Sequence, residues 1–209
     1  MYVLAKSVLA LMIGFMASVI LGLILIPWLR KLKIGQRTSI FVKAHEKKSG
    51  TPTMGGIMFI LSTIITILVL YFTNKLKISS NLLIILFVFF GYGLIGFVDD
   101  FLKVKYKCNE KGLTRMQKFL AQVVIAIMFF YVYIRNGSNP EIEIYALHLK
   151  INLGFMYGFF ILFMLVGTSN AVNLTDGLDG LAAGLSAIAI MVYGMIAWNS
   201  GWLAGYDDV

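Results

Sequence analysis

Apolar residues along this chain gather into six blocks, at about Val8 to Trp28, Met54 to Phe72, Leu82 to Val98, Phe119 to Ile134, Phe155 to Val172 and Leu181 to Trp198. Each block is near the length that an α-helix, rising about 1.5 Å per residue, needs to cross the hydrocarbon of a bilayer. A soluble fold spreads its apolar residues as stripes or alternations, so the pattern predicts an all-α polytopic membrane protein with about six transmembrane helices. The first block is too long for a signal-peptide core and no small-residue cleavage site follows it, which makes it a retained span. Two blocks end in polar chemistry: Leu82 to Val98 runs into Asp99 and Asp100, and Phe155 to Val172 runs into Asn173 and Asp176.

Between the fourth and fifth blocks the pattern changes. Glu141-Ile-Glu-Ile-Tyr-Ala-Leu-His-Leu-Lys-Ile-Asn-Leu153 alternates apolar and polar residues, with a change of phase near Tyr145 and Ala146. Alternation with period two predicts a small β-hairpin with one face on lipid or protein. His148 is expected on its polar side, solvated.

Composition agrees with the blocks. The chain has 209 residues, 59% hydrophobic and 13% charged, against roughly 45–50% and 25% in soluble domains. The net charge of +8 does not form a stripe suited to nucleic acid; the basic residues sit in short segments between spans, the placement expected at a membrane surface. Arg30, Lys31, Lys33, Arg37, Lys43, Lys47 and Lys48 follow the first span, and Lys103, Lys105, Lys107, Lys111, Arg115 and Lys118 follow the third. The opposite face holds only Lys6, Lys75, Lys77, Arg135 and Lys150. The positive-inside rule then puts the N-terminus outside and the basic segments, with Gly167 to Gly180, in the cytoplasm. The lone Cys108 excludes an internal disulfide and a multi-cysteine metal site.

Three polar segments on that predicted cytoplasmic side carry candidate chemistry. Asp99 and Asp100, in Gly96-Phe-Val-Asp-Asp-Phe-Leu-Lys103, repel each other at a membrane boundary and call for a compensating cation or a catalytic duty, unless they simply meet water at a helix end. In Asn170-Ala-Val-Asn-Leu-Thr-Asp-Gly-Leu-Asp-Gly-Leu-Ala182, Asp176 and Asp179 are spaced to share one side of a helical turn. Gly177 and Gly180 would equally allow a break between two helices. With Asn170, Asn173 and Thr175 adding neutral oxygens and amides, the set suits a hard divalent cation beside a phosphate, Mg²⁺ or, on donor type alone, Ca²⁺. A polar turn linking two spans is the plainer reading. The third segment, Lys47-Lys-Ser-Gly-Thr-Pro-Thr-Met-Gly-Gly56, offers lysines, hydroxyls and a glycine-rich helix start to phosphate oxygens. It is not a P-loop, because its lysine precedes the glycines. Carboxylates, amides and lysines together imply phosphoryl transfer from a soluble polyanionic donor to a lipid-borne acceptor.

These residues also carry a family resemblance. Gly50-Thr-Pro-Thr-Met-Gly-Gly56, the Asp99–Asp100 pair with Lys103, and the Asn170 to Ala182 string occur in the order and topology of the phospho-N-acetylmuramoyl-pentapeptide transferases. That group lies within the polyprenyl-phosphate N-acetylhexosamine-1-phosphate transferase superfamily. The resemblance covers essentially the whole chain. It implies transfer of phospho-N-acetylmuramoyl-pentapeptide from its UDP carrier, UDP-N-acetylmuramoyl-pentapeptide, to undecaprenyl phosphate in the bacterial plasma membrane, forming lipid I and UMP with Mg²⁺ as cofactor. It further implies that Asp99, Asp100 and Asp176 are catalytic, Asp99 being preferred for activating the acceptor phosphate. Lys48, Thr53, Asn173, Asp179 and Lys118 would bind substrate, and Asp176 would also be a metal ligand. Many members are homodimers. Because the family fold has about ten spans, residues 1–209 are expected to be the N-terminal part of one transmembrane catalytic domain. A later cytoplasmic aspartate that ligates Mg²⁺ and a histidine-rich loop would lie beyond Val209, so this chain alone is expected to be inactive or nearly so.

Two other functions fit part of the pattern. A polytopic transporter or scramblase would carry its charges near mid-span, whereas these lie at span ends. A sister transferase would use UDP-N-acetylglucosamine as donor.

Overall fold

The computed structural model describes residues 2–31, 53–106, 111–144, 147–176 and 180–199. Six helices appear at the six apolar blocks: α1 (Tyr2–Lys31), α2 (Gly56–Phe72), α3 (Ser80–Tyr106), α4 (Arg115–Arg135), α5 (Met156–Thr175) and α6 (Leu181–Asn199). Four of them, α1, α3, α4 and α5, are long and apolar enough to cross a membrane. The remaining two are apolar but short; α2 has 17 residues, about 26 Å of helix. The chain is a multi-pass membrane protein. Its apolar residues point outward along the helices, with Leu23 74%, Phe163 72% and Ile190 72% exposed, because lipid rather than a protein core is their solvent.

Helix ends follow local chemistry. Ser79 caps α3 by accepting the Leu82 amide at 3.2 Å. At the start of α4, the Thr114 hydroxyl accepts the Gln117 amide at 3.2 Å while the Gln117 side chain accepts the Thr114 amide at 2.9 Å, a reciprocal capping box. α2 ends on Asn74 in the left-handed region, φ 54°. The amides of Lys75 and Asn74 then turn back to the carbonyls of Leu70 and Tyr71, closing a Schellman motif. Gly137, φ 78°, ends α4 in the same way, through Ser138 to Tyr133 and Gly137 to Ile134.

The chain divides into two compact units, the boundary falling inside α4 after Lys118. In the first, helices approach through small residues, as membrane helices do. A Cβ on Gly93 of α3 would lie 2.7 Å from Ile60 Cδ1, and one on Gly14 of α1 would lie 3.3 Å from Thr66 Oγ1. In the second unit, Gly158 of α5 lies against the Phe130 ring, whose Cε1 would be 2.8 Å from an added Cβ. An inter-helix polar network joins α4 and α5 there. The Asn170 amide donates to Gln122 Oε1 at 2.9 Å, and Gln122 donates to Ser169 Oγ at 3.3 Å.

Two antiparallel strands, β1 (Glu141–Ile144) and β2 (Leu149–Asn152), form the hairpin between α4 and α5. His148 lies in its turn with φ 49° rather than on a strand. The change of phase at Tyr145 and Ala146 lies outside the described residues.

Candidate functional site

α3 continues past the end of its apolar block, so Asp99 and Asp100 are helical residues rather than the first residues of a loop. Continuation puts Lys103 one turn later, on the face the two carboxylates share. Lys103 Nζ lies 2.7 Å from Asp99 Oδ2 and 3.5 Å from Asp100 Oδ1. From the start of α4, Lys118 Nζ reaches the same Asp99 Oδ2 at 2.5 Å, and the Leu113 amide donates to Asp99 Oδ1 at 2.8 Å. Asp99 is 4% exposed and both of its oxygens are occupied by donors. Two ammonium groups and an N–H supply the compensation that burying this carboxylate requires.

Gly112 makes that arrangement possible. A Cβ at this position would lie 2.5 Å from Asp99 Oδ1 and 2.8 Å from Lys103 Cε. The segment leading into α4 can press its backbone onto the carboxylate only without a side chain there, and the Thr114–Gln117 capping box then sets where α4 and Lys118 begin.

Asp100 has different surroundings. Its side chain is 31% exposed, and Oδ2 accepts the Met54 amide at 3.2 Å. Met54 adopts φ 69°, an uncommon conformation for a residue other than glycine and one that costs energy. It sits just before α2, whose positive helix end favours a carboxylate. Beside it, Thr53 Oγ1 is shut away from solvent with no hydrogen-bond partner among the described residues, a costly state for a hydroxyl unless a ligand completes it.

The remaining predicted residues fall elsewhere. Lys48 and Asp179, like His45 and Cys108, lie outside the described residues. Asn173 and Asp176 are exposed at the end of α5, where Asp176 is the C-cap with φ −77° and ψ 52°. α5 stops at Thr175 and α6 begins at Leu181. Asn170 donates its amide to Gln122 and the Val166 carbonyl, and the Thr175 hydroxyl donates to the Ala171 carbonyl at 2.8 Å. Among the described residues, no three His, Cys, Asp or Glu side chains gather to hold a metal. Mg²⁺ does not need three, because it takes one or two carboxylates and completes its shell with water and phosphate oxygens. The exposed carboxylate of Asp176 fits that demand, whereas Asp99 has no free oxygen.

Sequence reasoning gave no prominence to Gly112, the Leu113 amide or Gln122. Gln122 had a signal, a lone amide inside an apolar block. Gly112 had none, since its role depends on which carboxylate it meets.

Comparison with known proteins agrees with the chemistry. The profile of glycosyl transferase family 4 matches residues 82–206, and phospho-N-acetylmuramoyl-pentapeptide-transferase signature 1 matches residues 48–60. The chain is 52% identical over 196 residues to a phospho-N-acetylmuramoyl-pentapeptide-transferase of Geobacillus sp. (strain WCH70), covering 93% of this chain and 60% of the relative. It is 50% identical over 191 residues to that of Bacillus subtilis (strain 168), covering 90% and 58%, and 44% identical over 189 residues to that of Oceanobacillus iheyensis, again 90% and 58%. The chain thus spans about three fifths of the length of these relatives.

Proposed function

The chain belongs to glycosyl transferase family 4, and from that premise we propose that it carries the front part of a phospho-N-acetylmuramoyl-pentapeptide transferase. The reaction moves the phospho-sugar-pentapeptide of UDP-N-acetylmuramoyl-pentapeptide onto undecaprenyl phosphate. One observation carries the reading: the segment matched by the transferase signature meets the aspartate pair, through the Met54 amide on Asp100 Oδ2 at 3.2 Å.

In the transfer, an oxygen of the acceptor phosphate attacks the sugar-linked phosphorus of the donor diphosphate. A new P–O bond forms, the P–O bond to UMP breaks, and UMP leaves. Asp100 is the aspartate able to take the proton of the acceptor phosphate, because among the described residues its Oδ1 faces only Lys103 at 3.5 Å. Occupation of both Asp99 oxygens moves the preference for acceptor activation from Asp99 to Asp100. We assign Asp99 the task of fixing Lys103 and Lys118, whose side chains are 24% and 29% exposed, so that their ammonium groups can meet phosphate oxygens. The unpartnered Thr53 hydroxyl supplies a further donor for the diphosphate, and Lys48, Asn173 and Asp179 hold the uridine diphosphate moiety. Asp176 would hold Mg²⁺, which would supply neutralisation of the diphosphate charge. The distribution of lysine and arginine puts the site on the cytoplasmic side.

Donor choice tests the proposal. Protein made from the complete reading frame, in detergent with Mg²⁺ and undecaprenyl phosphate, is offered radiolabelled UDP-N-acetylmuramoyl-pentapeptide or UDP-N-acetylglucosamine. Label entering the lipid phase from the muramoyl donor alone is the expected result. Label from the N-acetylglucosamine donor instead, or from neither, would overturn the assignment.

A further inference from the structure

The hairpin between α4 and α5 sorts its side chains completely by chemistry. Its register pairs Ile142 with Ile151 and Ile144 with Leu149, while Glu141 faces Asn152 and Glu143 faces Lys150. Directly opposed residues project from the same face, so one face is wholly aliphatic and the other wholly polar. The polar face is closed by its own contacts, Lys150 Nζ to Glu143 Oε1 at 3.1 Å and Asn152 Nδ2 to Glu141 Oε1 at 3.3 Å. On the aliphatic face Ile144, Leu149 and Ile151 are exposed, at 37%, 44% and 39%.

Two strands alone are marginal in water and need a surface to lie on. The surroundings say which surface. The hairpin starts six residues after α4 ends at Arg135 and finishes four before α5 starts at Met156, and both helices are long and apolar enough to cross a membrane. Aromatic side chains cluster at these ends, Tyr133 stacking on Tyr157 at 5.6 Å. The Tyr133 hydroxyl donates to the Asn139 carbonyl at 3.1 Å, tying the chain that enters β1 to the depth of that aromatic belt. Tyrosines mark the interfacial layer of a bilayer. Phe155 and Met156, where α5 begins, are apolar and 77% and 61% exposed.

We infer that this hairpin is an interfacial membrane anchor, resting Ile142, Ile144, Leu149 and Ile151 on the lipid acyl boundary with Glu143 and Lys150 toward water. It would act as an amphipathic helix does when it lies in the interface plane, and it would fix the depth at which α4 and α5 leave the bilayer. The inference is independent of the catalytic assignment.

Nitroxide accessibility tests it on the full chain carrying Cys108→Ser, in nanodiscs of phosphatidylethanolamine and phosphatidylglycerol. Labels are placed singly after Ile144→Cys, Ile151→Cys, Glu143→Cys and Lys150→Cys, all exposed positions. Oxygen concentrates in lipid, and the nickel chelate Ni-EDDA stays in water. The expected result is an oxygen-to-nickel collision ratio several-fold higher at residues 144 and 151 than at 143 and 150. Equal ratios on both faces would overturn the anchor. Labels at 144 and 151 shielded from both reagents would also overturn it, placing protein such as a second copy over that face.

Discussion

Replacing Gly112 with alanine is the sharpest probe of how the carboxylate site is held. The new methyl would lie 2.5 Å from Asp99 Oδ1, 2.8 Å from Lys103 Cε and 3.2 Å from Lys103 Cγ. Asp99 cannot retreat cheaply, since Lys103 at 2.7 Å, Lys118 at 2.5 Å and the Leu113 amide at 2.8 Å hold its oxygens. Relief must come from lifting the 111–114 segment, which breaks the Leu113–Asp99 bond. A hydrogen bond to a charged group contributes about 1.5–3 kcal/mol, and forcing an extra carbon into a packed site costs about 1–3 kcal/mol. Alanine recovers about 0.4–1 kcal/mol by restricting the unfolded chain, leaving a net loss of about 1.5–5.6 kcal/mol. For a chain of this size that corresponds to a fall in Tm of roughly 3–22 °C, read by thermal unfolding in detergent. Gly96→Ala is the control, because a Cβ there meets nothing within 4 Å. It should be neutral or slightly stabilising. If Gly112→Ala unfolds at the same temperature as Gly96→Ala, the close approach of this backbone to Asp99 is not real.

Other perturbations separate structure from chemistry. Thr53→Val removes a hydroxyl without a partner, so Tm should hold or rise while donor affinity falls roughly tenfold, about 1.4 kcal/mol; unchanged donor KM would take Thr53 out of the site. Gln122→Leu strips the α4–α5 network of its centre and should cost about 0.6–1.7 kcal/mol, visible as a lower Tm; no change would mean that the network contributes nothing to packing. Cysteines introduced by Lys111→Cys and Ser138→Cys, at the two ends of α4, should react with an impermeant maleimide from opposite sides of sealed vesicles. Labelling from one side would remove the sidedness on which the proposed cytoplasmic site depends.

The placement of the helices was legible because lipid imposes one requirement, an unbroken apolar run of sufficient length. Their ends were not. The apolar block ending at Val98 belongs to a helix running to Tyr106, since hydropathy reports the solvent a side chain prefers and says nothing about where backbone hydrogen bonding stops. That extension brings Lys103 onto the carboxylates. The hairpin was legible from alternation, but only the register shows Ile142 opposite Ile151 and Glu143 opposite Lys150. Asp99 and Asp100 look equivalent as adjacent letters. Successive helical side chains point about 100° apart, and that difference takes Asp99 into a nest of donors while Asp100 reaches the Met54 amide. The donor groups of Asn170 and Thr175 bond their own helix and α4, contacts that the letters of a polar motif do not announce.

The account turns on Asp100 serving a transfer that releases UMP. The direct measurement counts UMP and lipid-linked muramoyl-pentapeptide together, for the complete protein and its Asp100→Asn variant, with the Tm of each recorded alongside. Equimolar UMP and lipid product from the parent, and neither from a variant that unfolds at the parent's temperature, is the predicted result. An Asp100→Asn protein that makes both products at the parent's rate would contradict the assignment.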